Sequence, residues 1–437
     1  MPQGRRGLLR VLGATFGLAM VVGATIGGGI LRTPGEVAAQ LPSVPLYLAV
    51  WAFGAMSAFL GATAYAELGT MIPRSGGIYN FARRAMGDGM GFFVGVADWL
   101  NWTVASSALI LLVGEYLGAL VPVFSGRPML AGFATFGALA LLQWRGVLWG
   151  GRMQEITSVL KTLALLGLVA AAFLLPSAEP MAAESTRSVP QGAALVAAIA
   201  ISLQGVVFTY DSYYSVVYCG EEVKNPARDI PRSIFGGLAL ITVIYLLVNW
   251  AFVSLIPIDR MAGDPFVGGT VARLVFGDVG DTVIRLLMIV SVIGTVNAQI
   301  LAAPRILHAM GEDGLFPRQA TRVNAGGTPS VAMIISVGMV AVFLLTGSFV
   351  AALAVDAVLI VFGYVLVFTS LFVLRRREPE APRPYRAWGY PWVPGAALVI
   401  AAVMLGMLVY ADVQSALITL ALLVASWPAA RLMRRLH

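Results

Sequence analysis

Gly23-Ala24-Thr25-Ile26-Gly27-Gly28-Gly29-Ile30 stands inside an apolar run that spans about residues 11–40. A run of that length is enough to cross a hydrocarbon core, which takes roughly 20 residues of helix. Four of these eight residues are glycine, and each glycine costs a helix interior about 1 kcal/mol relative to alanine. Close helix–helix packing through small residues is one reading of such a run. Three glycines in succession favour the other, an unwound break. The 13 residues from Arg10 to Gly23, at about 1.5 Å each, put the break ~20 Å in, near mid-bilayer. Irregular backbone at that depth is tolerated where it is buried in protein or lines a cavity.

The rest of the chain repeats the apolar theme. Of 437 residues, 59% are hydrophobic and 12% charged, against roughly 45–50% and 25% in soluble domains. Apolar runs fall at about 11–40, 44–71, 90–121, 129–145, 153–175, 191–221, 231–256, 282–308, 329–347, 349–374, 393–411 and 413–433. The longest gaps, 257–281 and 375–392, are too short for a folded soluble domain. The sequence therefore predicts one all-α integral membrane domain, 1–437, with twelve transmembrane helices. Alternating the sides span by span places 22 of the 29 Lys and Arg residues on one side and 6 on the other, with Lys161 alone inside a span. By the positive-inside rule both termini are cytoplasmic, which predicts a multi-pass protein of the cytoplasmic (inner) membrane surrounded by lipid.

Several chemistries are excluded by counting. One cysteine, Cys219, forbids an intrachain disulfide and any Cys-based metal cluster. Two histidines, His308 and His437, leave no pair for a metal, so neither a metal, a cofactor nor an enzyme activity is expected. The net charge of +7 is scattered singly at span ends, so no nucleic acid partner is expected. Gly4-Arg5-Arg6-Gly7-Leu8-Leu9 looks like an export signal, but two arginines anchoring the first span explain it as well.

The sixth run holds a counterpart to the first. Gln204-Gly205-Val206-Val207-Phe208-Thr209-Tyr210-Asp211-Ser212-Tyr213 places polar and acidic residues about ten positions before Glu221-Glu222. Two interrupted spans at corresponding places of two halves point to a secondary transporter's binding site. The halves have five spans each, about 11–175 and 191–374, with two additional helices at about 393–433. This is a five-plus-five inverted repeat with helices 1 and 6 broken.

At these residues the chain resembles the amino acid–polyamine–organocation superfamily, in particular its amino-acid transporters. The glycine-rich stretch 23–30 is similar to the family's first-helix motif. Pro73-Arg74-Ser75-Gly76-Gly77-Ile78-Tyr79 is similar to the loop after its second helix. Glu221-Glu222-Val223-Lys224-Asn225-Pro226-Ala227-Arg228-Asp229-Ile230-Pro231-Arg232 follows its sixth, Arg305 through Gly314-Leu315-Phe316-Pro317 ends its eighth, and Arg383-Pro384-Tyr385 joins its tenth to its eleventh. Two departures stand out. Gly28 replaces the usual Ser or Ala, and Thr209-Tyr210-Asp211-Ser212-Tyr213 replaces a common Ala-Tyr-Gly-Gly-Trp, putting an acid where glycine is usual.

The resemblance implies alternating-access transport of an amino acid, sodium-independent and open to proton linkage. A cationic amino acid or polyamine held by Asp211 is the alternative. The implied substrate site comprises Ala24, Thr25, Ile26, Gly27, Gly28, Gly29, Phe208, Thr209, Tyr210 and Asp211. Amide groups at Gly27–Gly29 would meet a carboxylate at a helix N-terminus, and half-helix carbonyls would face the ammonium. Phe208 resembles an aromatic gate, or packs towards lipid. Lys161 either snorkels to the inner face or, as the resemblance implies, stands where related carriers hold sodium. There it would bridge carbonyls near Gly23 to Ser291 and Thr295. Among the other acids, Glu115 and Asp356 read as boundary or packing residues, Glu221-Glu222 as cytoplasmic surface, and Asp98 as near the inner end of the third span with its role open.

Overall fold

The computed structural model describes residues 8–174, 185–346, 349–421 and 423–424. Arg5, Arg6 and the basic C-terminal residues that entered the charge count lie outside that range. Among the described residues every regular element is a helix, and strand-like pairing is limited to isolated bridges such as Leu12 with Val223.

The first apolar run is two helices, α1 (Ala14–Thr25) and α2 (Gly29–Gln40), bent by 42° about residues 26–28. Next come α3 (Val44–Met71), α4 (Ile78–Met86), α5 (Asp88–Leu120), α6 (Pro128–Arg145) and α7 (Val147–Leu174). The second half holds α8 (Ala193–Tyr210), α9 (Pro226–Leu255), α10 (Ile258–Met261), α11 (Val267–Phe276), α12 (Gly280–Glu312), α13 (Ser330–Thr346), α14 (Phe349–Arg377) and α15 (Trp392–Ala411). Proline opens α6 and α9, where its missing N–H costs nothing and its fixed φ suits the first turn.

Among the described residues eight helices are long and apolar enough to cross a membrane, nine if α1 and α2 count as one span. The expected fourth and ninth spans are helical but fall outside that set. The twelfth begins as helix at 413–421 and otherwise lies largely beyond the described residues. The gaps held more structure than their length suggested: α4 fills one loop, and α10 with α11 fills 257–281.

α5 packs along α12, α6 and α14, α3 along α9, α1 along α9 and α7, and α2 along α8. At the basic end, Arg74 and Arg83 both pair with Asp313, and Arg375 and Arg383 both pair with Glu67. Glu222 is not the surface residue its sequence context suggested. It is fully buried against Arg305 of α12, because the segment after α8 folds back into the bundle. At the opposite end Arg187 pairs with Asp259 at 2.9 Å and donates to the carbonyls of Ala38 and Ala39 at the end of α2.

Candidate functional site

Both interruptions are real backbone breaks, shifted from the expected residues. α1 ends at Thr25, residues 26–28 are irregular, and Gly29 already begins α2. Phe208, Thr209 and Tyr210 are still helical, and the chain leaves helix at Asp211. Ser212 follows at φ +69°, a left-handed conformation that costs an L-residue roughly 1–2 kcal/mol. A short 3-10 turn over Ser215–Tyr218 leads on. At the end of α8 the Thr209 Oγ1 bonds back to the carbonyl of Gly205 at 2.8 Å, a contact that tends to bend a helix and not to extend it.

One hydroxyl sits between the two broken helices. Tyr245 Oη of α9 lies 3.0 Å from the carbonyl oxygen of Thr25 and 3.1 Å from that of Thr209. These carbonyls belong to the last turns of α1 and α8, where helices leave acceptors unpaired and carry partial negative charge. A tyrosine has one hydrogen to give, so one carbonyl is free for another donor. The sequence reading missed Tyr245; a tyrosine inside an otherwise apolar seventh run was the available signal.

The other pole of the site is the start of α2. Gly28 caps it without any side-chain hydrogen bond, and of the first-turn amides Leu31 bonds back to the Gly28 carbonyl at 3.2 Å. At Gly29 a Cβ would lie 3.0 Å from Thr209 Oγ1 and 3.3 Å from its Cγ2. The glycine lets α2 approach α8 closely, and Thr33 and Thr209 share a hydrogen bond at 2.9 Å there; a Cβ would press the Thr209 side chain back by a few tenths of an ångström. A Cβ on Gly28 would meet Met288 Cε at 3.2 Å, so α12 fills the space that a Ser or Ala side chain takes elsewhere in the superfamily.

Lys161 is fully buried in α7 and does not snorkel. Its Nζ donates to the carbonyls of Gly23 at 2.8 Å, Ile26 at 2.6 Å and Ser291 at 2.9 Å, with Thr295 Oγ1 at 3.4 Å. The structure thus brings all four coupling candidates together. One turn earlier, Ser158 and Gln154 donate to the carbonyl of Ala19, so α7 presents three donors in a row to α1.

Other candidates are placed less centrally. Phe208 packs with Val207 against Ala357, Val361, Met404 and Leu408 of α14 and α15. Asp211 accepts from the hydroxyls of Tyr364 and, at 2.9 Å, Ser212. Asp98 is buried well inside α5. Asp356 is also buried and accepts from Asn101 at 2.7 Å, whereas Glu115 is exposed. Ala24 and Ile26 are core residues, and the Tyr210 ring packs at a tilt against both Trp51 and Tyr245.

The sequence profile of the amino acid permeases matches residues 14–427. The chain belongs to that family. It is thus an amino-acid transporter of the amino acid–polyamine–organocation superfamily, a group of carriers and not enzymes, and a multi-pass membrane protein. The serine/threonine exchanger SteT of Bacillus subtilis (strain 168) is 27% identical over 420 residues, covering 94% of this chain and 93% of the relative. The branched-chain amino acid permease BcaP of the same organism is 29% identical over 428 residues, covering 91% and 88%. The human b(0,+)-type amino acid transporter 1 is 26% identical over 391 residues, covering 87% and 79%.

Proposed function

We propose that this permease moves an amino acid across the cytoplasmic membrane by alternating access, without sodium and with proton linkage. The observation that carries the reading is the meeting of two half-helix ends at Tyr245, beside the uncapped start of α2. A zwitterion fits that pattern. Its carboxylate would lie on the Gly27–Gly29 amides and its ammonium on the Thr25 and Thr209 carbonyls, with Ala24, Ile26, Phe208, Tyr210 and Asp211 around it. We place the chain as twelve spans, repeats 11–175 and 191–374 followed by 393–433, with the basic end and both termini in the cytoplasm.

Lys161 takes the part of a bound cation. An ammonium has three hydrogens and here meets three carbonyls, two of which also lie within reach of the Ser291 and Thr295 hydroxyls. In this reading it acts as a crosspiece between α1 and α12, which removes any need for sodium. The test is counterflow of a panel of radiolabelled amino acids into liposomes holding the purified protein, in sodium and in choline buffers. Accumulation in both supports the reading. Failure of every neutral and cationic amino acid, or strict dependence on sodium, overturns it.

A second reading is favoured by Asp211 alone, an acid at the head of the break with no basic residue among the groups acting on it. It makes the cargo a cationic amino acid or a polyamine. Asp211→Gly distinguishes the two: a substrate profile unchanged by that substitution removes the cationic reading.

A further inference from the structure

Asp98 is held by one oxygen only. Its Oδ1 accepts from the Tyr218 hydroxyl at 2.8 Å and the Trp102 indole at 3.2 Å, while Oδ2 is buried without a hydrogen-bond partner. Two more carboxyls belong to the same region. Asp211 is within electrostatic range of Asp98, and Asp356 within range of Asp211. An independent feature points into this group. Tyr65 of α3 is completely buried, its hydroxyl makes no well-aligned hydrogen bond although Tyr214 lies close enough to act on it, and both Asp98 and Asp211 act on it as well.

Among the described residues no Lys, Arg or His acts on any of the three acids. The groups facing the cluster are Tyr65 from α3, Asp211, Tyr213, Tyr214 and Tyr218 from the broken segment, and Asp356 and Tyr364 from α14. α12 and α13 offer α5 only neutral partners there, Gln299 to Ser106 and Ser336 to Trp99. The arginines of α4 are engaged by Asp88, Asp313 and Glu378.

The occupant follows from size and charge. Among the described residues no three acidic, His or Cys side chains converge closely enough to hold a metal ion. Oδ2 is closed to a water-sized sphere, and the cavity of about 30 Å³ against Tyr213 and Tyr364 is lined by residues other than Asp98, so an amine has no access to Oδ2 in this conformation. A lone carboxylate in a dry interior is strongly disfavoured unless it is neutralised. The proton is the cation that needs no cavity.

We propose that Asp98 is the proton-binding site of this transporter, an inference that rests on the amino-acid transport proposed above. One proton from the outer solution adds to Oδ2 and donates to the Tyr65 hydroxyl oxygen. It leaves to the cytoplasm, restoring the carboxylate, when the site opens inward. The link to motion is Tyr218, at the end of the turn that follows the break in helix six. Hydrogen bonds to an ionised acceptor are about twice as strong as neutral ones. Protonated Asp98 therefore loosens its hold on Tyr218, and the ionised form tightens it.

The experiment uses wild-type protein in liposomes that enclose a pH-sensitive dye, with a neutral amino acid that counterflow has identified as cargo. Uptake is expected to acidify the lumen; uptake with no change of lumenal pH overturns the proposal. Asp98→Asn is expected to lose the response of uptake to an imposed pH gradient, and a response like that of wild type overturns it. Should the Asn variant fail to fold or to transport, Asp98→Glu keeps the carboxyl and is expected to shift the pH profile; an unshifted profile overturns the assignment. A wild-type protein that carries no amino acid at all defeats the transport reading, a result distinct from transport without protons.

Discussion

Lys161 Nζ donates to the carbonyl oxygen of Ile26 across 2.6 Å, joining the middle of α7 to the kink in helix one. With the side chain cut to a methyl, three buried carbonyls lose a shared donor, and since the Ser291 and Thr295 hydroxyls can serve only two of them, one is left bare at a cost of about 1–3 kcal/mol. Lys161→Ala is expected to abolish uptake and to lower the thermal midpoint in detergent by several degrees. Uptake at the wild-type rate would remove the crosspiece from the mechanism.

Gly29 faces the Thr209 side chain with no room for a second carbon branch. Gly29→Val should insert normally, because the hydropathy of the span rises, yet transport nothing. Gly29→Ala combined with Thr209→Ala should recover part of the activity, since it deletes the atoms a Cβ would meet. Full uptake by the valine variant in liposomes would count against a site built on this approach.

Ser212 tolerates its positive φ partly through its own hydroxyl, which bonds Asp211. Ser212→Gly trades that bond for relaxed backbone and should stay within about 1 kcal/mol of wild type. Ser212→Val loses the bond and puts a β-branched residue in a left-handed conformation, a true steric outlier. Its melting temperature should fall well below that of the glycine variant; equal values would mean the break is not strained.

Glu222 and Arg305 form an ion pair buried on both sides. Removing one partner from such a pair typically costs about 3–5 kcal/mol, because the survivor keeps an uncompensated charge. Glu222→Ala should therefore reduce the yield of monodisperse protein sharply. Glu222→Ala with Arg305→Met should recover much of it, and size-exclusion profiles of the two variants decide the point.

Asp259 is a loop carboxylate held well below the usual carboxylate range, chiefly by Arg187 and also by Ser185 and the Thr186 amide. A depressed folded value contributes stability that is fully present above the unfolded value, near 3.9, and is lost only as pH falls through the lower, folded one. The contacts of 185–187 should thus persist in mildly acidic buffer. Hydrogen exchange at residues 185–187 and 258–261 should show the same protection at neutral and mildly acidic pH. Asp259→Asn should lose that protection at both.

The residues differ in how visible they were before any coordinates. Gly27–Gly29 and Lys161 announce themselves, since triple glycine and a charge are both costly in an apolar helix. Ser291 and Thr295 followed from the family likeness. Tyr245 was hidden because nothing in its own run distinguishes a tyrosine that bridges two chain ends from one that packs. Glu222 was misread for a related reason: its local sequence is polar and basic, and its partner Arg305 lies 83 residues away. The end of α8 also slipped: the polar and acidic residues of 204–213 marked an interruption but not its first residue, and the helix runs on through Tyr210. Periodicity and composition speak for single segments. Meetings between distant segments leave no local mark.

The ammonium between Gly23, Ile26 and Ser291 is bonded covalently to the chain, so it cannot be diluted away. A diffusible ion in that position would tie the hinge to the composition of the medium and bring the energy of its own gradient. In the function proposed above the lysine does neither. It would hold the hinge equally well in fresh water and in brine and supply no power, so uphill accumulation would draw on a second solute travelling with the cargo or against it.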